Sequence, residues 1–207
     1  MPPDLAELRR EAQSCKACPL WIHATQTVFG EGDPQARIVL VGEQPGDAED
    51  RAGHPFVGPA GQVLDRALAE AGIDRAAIYV TNAVKHFKWE PRGKRRMHKT
   101  PLQQEIAACR RWIEGELAAI RPDLVVCLGA TAVHALIDRE ATITGLRGRI
   151  IERQAGPAWL VTVHPSYILR VPPQAHSLVY QSFVADLRLA RPFLPAPAGG
   201  PEDRESP

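Results

Sequence analysis

Residues 93–101, Gly-Lys-Arg-Arg-Met-His-Lys-Thr-Pro, set His98 among cations just ahead of a helix-start signal. An imidazole so placed can act as base or nucleophile, and its cationic neighbours can hold a polyanion before it. The wider segment 85–99 carries Lys85, Lys88, Arg92, Lys94, Arg95, Arg96 and Lys99 against one acid, Glu90, with Phe87 and Trp89 between them. Basic residues interleaved with aromatics suit a phosphate backbone and stacked bases. The plainer alternative is a solvated charge run. A second reactive group is Cys15-Lys-Ala-Cys18, with His86, Cys109 and Cys127 far along the chain. Alone, the cysteine pair fits zinc, an iron–sulfur cluster, a redox couple or chance. Cys109 reads first as core of its helix, and Cys127 as core of a strand.

Three loops add candidates. In Gly42-Glu43-Gln44-Pro45-Gly46 the glycines permit close backbone approach and the proline stiffens the turn. Glu43, ending a buried run, needs a partner or a task. In residues 54–61 Phe56 offers a flat apolar face, and glycine N–H groups can face a phosphate at the helix start. Asn82 can read an amide-like edge, and His164-Pro165-Ser166 brings an imidazole and a hydroxyl.

The elements that must position these residues alternate in type. A helix spans 3–14, with Leu5, Leu8 and Ala12 on one face. Strands are predicted at 36–43, 77–84, 122–130 and 158–165. Between them fall a helix with Val63, Leu64, Ala67, Leu68 and Ala71 inward, stopped by Gly72, and a short helix at 131–138. A further helix runs to Ile120, opened by Thr100 as N-cap, Pro101 at the first position and Gln103 closing a capping box. The last helix covers 175–190. From Pro192 the chain is Pro/Gly-rich and polar, so one domain at 1–191 and a disordered tail at 192–207 are expected. Strand–helix alternation predicts an α/β fold, a parallel sheet covered on both faces, with ligands at the strands' carboxyl ends. All the loops above fall at that end.

The 207 residues carry a net charge of +1 and 44% apolar side chains, so any polyanion site must be local. No run approaches the ~20 apolar residues that cross a bilayer. No secretory signal is readable, and four cysteines make no disulfide scaffold. A reducing cytoplasm is the expected compartment.

Taken together, "GEQPGDAEDRAGHPFVGPAGQVLDRAL", "YVTNAVKHFKW", "GKRRMHKTP", "EIAACR" and "VTVHPSYILR" resemble the uracil-DNA glycosylase superfamily across roughly residues 10–190. Within it they look most like the iron–sulfur family-4 enzymes, and specifically the UdgX branch. Ordinary family-4 members have alanine or glycine where Gln44 stands, cysteine where His86 stands, and no insert ending in His98; Met97 replaces a usual isoleucine. The resemblance implies a three-layer α/β/α sandwich around a four-stranded parallel sheet. It also implies a [4Fe-4S] cluster on Cys15, Cys18, His86 and Cys109, with Cys127 outside the set. For uracil it implies a pocket of Gly42, Gln44, Asp47, Phe56 (stacking), Asn82 (base edge) and His164 (uracil O2 and the departing anion). Ser166 and Lys94 would grip phosphates, Arg170 would fill the vacated stack, and Arg95 and Arg96 would hold the loop on DNA.

The expected partner is uracil-containing DNA, single strands included, met by a monomer with no membrane role. His98 would take the place of the hydrolytic water and bond to the deoxyribose anomeric carbon, oriented by Glu43, while Gln44 keeps water out. The alternatives are a hydrolytic family-4 glycosylase, a non-catalytic binder of uracil-DNA, and a zinc-stabilised nucleotide-binding module.

Overall fold

In the computed structural model, which describes residues 3–195, the apolar runs become strands whose successive side chains feed two different cores. The first half holds α1 (Leu5–Ala12), β1 (Glu31–Gly32), β2 (Ile38–Gly42), α2 (Asp47–Ala52), α3 (Pro59–Ala71) and β3 (Tyr79–Asn82). Then come β4 (Trp89–Arg92), β5 (Arg95–His98), α4 (Gln103–Ile120), β6 (Leu124–Leu128) and α5 (Ala130–Leu136). The chain continues through α6 (Ile143–Leu146), β7 (Ile150–Ile151), β8 (Ala158–Thr162), α7 (Pro165–Ile168) and α8 (Pro173–Arg188).

The sheet order is β1-β3-β2-β6-β8-β7, with β3, β2, β6 and β8 parallel. Ile38, Leu40, Val126 and Leu160 point to a core shared with α3, α7 and α8. Val39, Val41, Val125 and Val161 point to the opposite core, shared with α1, α4 and α5. Burial on both faces is why these strands read as unbroken apolar runs. Each fully buried side chain of this size contributes about 1.5–3 kcal/mol. The α/β/α sandwich and its four parallel strands stand as expected.

Several details differ. The two-residue strands β1 and β7 pair antiparallel on the sheet edges, which closes exposed ladders. Segment 85–99 is no open loop: β4 and β5 form a hairpin turning at Gly93, whose φ is +60°. Thr100 does not cap α4. The helix starts at Gln103, and the Glu105 carboxylate, not Gln103, accepts the Leu102 N–H at 2.6 Å. Of the tail predicted from Pro192, residues 191–193 form a 3₁₀ turn, and Phe193 and Leu194 pack on the core; the rest of that prediction lies outside the described residues.

Lys85 also departs from its expected place in the basic segment. It is fully buried, with Nζ 2.5 Å from Glu116 Oε2. Glu116 also accepts from the Tyr79 and Thr81 hydroxyls and the Gly30 N–H. A buried pair persists when every remaining donor and acceptor is met, as here. Replacing Glu116 with alanine leaves the Lys85 ammonium buried without a counter-ion, held only by the Thr81 hydroxyl and the Asn82 carbonyl. Chemical denaturation should show Glu116→Ala less stable by about 3–5 kcal/mol; a loss below ~1 kcal/mol would contradict this reading of the pair.

Candidate active site

A cavity of about 440 Å³ opens at the carboxyl ends of β2, β3 and β8, where the sheet's order reverses. Its wall includes Glu43, Gln44, Asp47, Phe56, Asn82, His98, His164, Ser166 and Arg170. The backbone keeps it tight. A Cβ on Gly42 would fall 2.4 Å from Asn82 Oδ1 and 2.6 Å from Phe56 Cζ, so only glycine fits. Phe56 itself sits at φ +57°, a left-handed conformation uncommon for an aromatic residue and of a kind that clusters at functional sites. Its ring stacks with His164 at 6.1 Å and 29°. One flat apolar face, an amide and an imidazole therefore line one chamber.

His164 follows β8 by two residues and caps α7. Its Nδ1 accepts the Ser166 N–H at 3.2 Å and lies 2.8 Å from the Ser166 hydroxyl, so the ring proton belongs on Nε2. Burial, with His98 and Arg170 close by, pushes its pKa down to about 3. A neutral N–H donor results. Here the Ser166 hydroxyl is directed to this histidine.

Glu43 projects from the end of β2. Burial raises its pKa, opposed by Arg170 and by the Thr131 hydroxyl. Its Oε1 is buried, has no hydrogen-bond partner among the described residues, and lies 3.7 Å from His98 Nε2. That separation exceeds a hydrogen bond, so the two groups are adjacent but not joined. Burial, then Arg170, lowers the His98 pKa from its usual value, which favours a neutral ring with a free lone pair.

The hairpin reaches the cavity because it is tied from below. The Gln44 amide accepts the Lys88 N–H at 3.1 Å and donates to the Lys88 and Lys99 carbonyls, both at 3.1 Å, spanning the base of the hairpin. Arg96 turns inward, unlike its basic neighbours: it pairs with Asp47 and with Asp50, the latter at 2.6 Å, and lies over the Phe87 and Trp89 rings. Lys88 pairs with Glu105 at 2.9 Å, and Lys99 with Glu90 at 2.9 Å. Among the described residues Arg92, Lys94 and Arg95 keep exposed side chains with no carboxylate partner, and Lys94 sits at the turn, off the cavity wall. The Asp47 carboxylate binds Arg51 and Arg96, which outweigh burial and lower its pKa. Glu49 was not foreseen: it accepts the N–H groups of Gly46 and Gly58, so the Gly58 amide is not free for a phosphate.

The cysteine group lies behind the hairpin. Cys15, Cys18 and Cys109 are free thiols. Burial raises Cys109 to about 12, with Cys18 and Cys15 close enough to add to the rise. The Lys85 N–H donates to Cys109 Sγ at 3.2 Å, setting His86 next to that thiol, and Trp112 Nε1 donates to Cys15 Sγ at 3.2 Å. His86 Nδ1 is buried and has no hydrogen-bond partner among the described residues. No group of three or more His, Cys, Asp or Glu among the described residues is gathered closely enough to hold a single metal ion. Three sulfurs and one bare imidazole nitrogen are of the donor types that iron–sulfur clusters take. Cys127 lies in the β6 core, where the sequence placed it. No helix among the described residues is long and apolar enough to cross a membrane.

The sequence profile described as "Uracil DNA glycosylase superfamily" matches residues 29–188. A type-4 uracil-DNA glycosylase of Thermotoga maritima is 42% identical over 81% of this chain and 84% of its own length. Type-4 uracil-DNA glycosylases of Archaeoglobus fulgidus (37% identical, 81% and 84% covered) and Pyrobaculum aerophilum (32% identical, 82% and 86% covered) are also similar.

His164 yields a prediction with a definite sign. Its folded pKa lies below the unfolded value of about 6.5, so the unfolded chain takes up the proton first. Stability from this group is complete above pH ~6.5 and falls as pH drops toward 3. Denaturant titrations across that range should show a shallower acid decline for His164→Asn; an identical decline would rule the buried neutral ring out.

Proposed function

The chain belongs to the uracil DNA glycosylase superfamily, and from that premise we propose that it excises uracil from DNA and, like the UdgX branch it resembles, is captured by the sugar it exposes. One observation carries the second half: the hairpin is clamped so that His98 forms part of the cavity wall beside Glu43.

Uracil swings out of the strand, at a cost of a few kcal/mol that single strands reduce. Phe56 stacks on the base and Asn82 pairs with its edge. The His164 Nε2–H donates to uracil O2 and stabilises the anion as the glycosidic bond breaks, without a proton transfer. The electron pair of that bond leaves with uracil, and an oxocarbenium-like sugar remains. A lone pair of neutral His98 bonds to the anomeric carbon. The proton on its other nitrogen goes to Glu43, leaving a neutral alkylated imidazole. Arg92, Lys94 and Arg95 lie along the DNA backbone, and Arg170, at the cavity mouth, fills the gap in the stack.

Cys15, Cys18, His86 and Cys109 would hold a [4Fe-4S] cluster. Its part is structural, joining the N-terminal segment to α4 and to the root of the hairpin. This reading places the protein in a reducing cytoplasm as a monomer. The hydrolytic alternative rests on the same Glu43, whose partnerless Oε1 could orient a water instead.

On a denaturing gel, incubation with uracil-containing single-stranded DNA should give a shifted protein–DNA band. His98→Ser should abolish that band, at least ~100-fold in yield, while free uracil is still released. Repeated turnover by the native protein with no band would establish the hydrolytic enzyme, and no release of uracil would leave a binder.

A further inference from the structure

Thr27 is buried between the end of α1 and the segment after β3, away from the cavity. Its Oγ1 lies 2.9 Å from the Ala12 carbonyl oxygen and 2.9 Å from His86 Nε2. A carbonyl oxygen only accepts, so the single hydroxyl proton goes to Ala12. The hydroxyl oxygen must then accept from the imidazole, which puts the His86 ring proton on Nε2. Nδ1 is left a bare lone pair, buried and with no hydrogen-bond partner among the described residues. Buried acceptors are rarely left so, and a partnerless one calls for a ligand or a task.

The surroundings supply the ligand's direction. The same Ala12 carbonyl accepts the Cys15 N–H at 3.1 Å. Lys85, next to His86, donates its N–H to Cys109 Sγ. One hydroxyl thus joins the segment bearing Cys15 and Cys18 to the segment bearing His86, which is itself pinned to Cys109. Histidine ligands in metal sites commonly have their second nitrogen fixed by such a partner, which sets tautomer and ring orientation together.

We propose that Thr27 is the positioning residue of the cluster site: its hydroxyl locks His86 as the Nε2–H tautomer and presents Nδ1 as the ligating nitrogen. This rests on the cluster reading given above. Thr27→Val keeps the side chain's shape but removes both hydrogen bonds. The ring then loses what distinguishes its two nitrogens. Thr27→Ser keeps the hydroxyl and should rescue.

The test uses the full chain purified without oxygen, with iron and sulfide measured first. Native protein is then prepared with histidine isotopically labelled at Nδ1 alone or at Nε2 alone, and pulsed electron paramagnetic resonance is recorded in the cluster's paramagnetic state. The strong hyperfine coupling should come from the Nδ1 label. Thr27→Val should lose iron to a chelator roughly tenfold faster than the native chain and shift the cluster's reduction potential, with Thr27→Ser close to native in both. Strong coupling from Nε2, or a Thr27→Val protein that matches the native chain in iron retention and potential, overturns the proposal. An iron-free native chain overturns the cluster reading itself, a distinct result.

Discussion

The site depends on how the β4–β5 hairpin is held down. A two-stranded hairpin is at best marginal in water, and this one projects beyond the sheet. Arg96 reaches inward to Asp47 and the buried Asp50, while its guanidinium covers Phe87 and Trp89. The Gln44 amide grips both strands' roots at Lys88 and Lys99. With those ties in place His98 lines the cavity; without them it would be one more residue on a solvated basic loop. A planar guanidinium bound by two carboxylates is also stiffer than a lysine would be.

The second constraint is the crowding at the end of the sheet. Gly42 lets Phe56 and Asn82 close in, Gly129 (φ +89°) lets His164 sit beside the β6–α5 turn, and Glu49 holds the two loops through the Gly46 and Gly58 amides. Because polar groups there are either mutually satisfied or turned into the cavity, the few left without partners stand out. Among the described residues these are Glu43 Oε1 and, away from the cavity, His86 Nδ1. The first faces the chamber assigned to uracil and its sugar, the second belongs to the cysteine group. The proposed chemistry and the proposed cofactor thus account for both.

Much of this was legible in the sequence. Unbroken apolar runs such as 38–41 suited strands buried on both faces, and alternation with helices then put the loops at one end. The faces of α1, α3 and α4 followed from helical spacing. What could not be read was decided by partners distant in the chain. Arg96 looks like its neighbours Lys94 and Arg95 until Asp47 and Asp50 are beside it, and Lys85 looks solvated until Glu116 arrives from α4. Thr100-Pro101 gave a strong start signal, yet α4 begins later because Glu105 satisfies Leu102. Two-residue edge strands carry no period at all. Thr27 and Glu49 had no local signal, since each acts only through contacts made by folding.

The intact mass of the product tests the central claim most directly. The native chain, mixed with a uracil-containing oligonucleotide and denatured before mass spectrometry, should give one species equal to protein plus oligonucleotide minus uracil. Unmodified protein beside an abasic oligonucleotide that has gained water would contradict it.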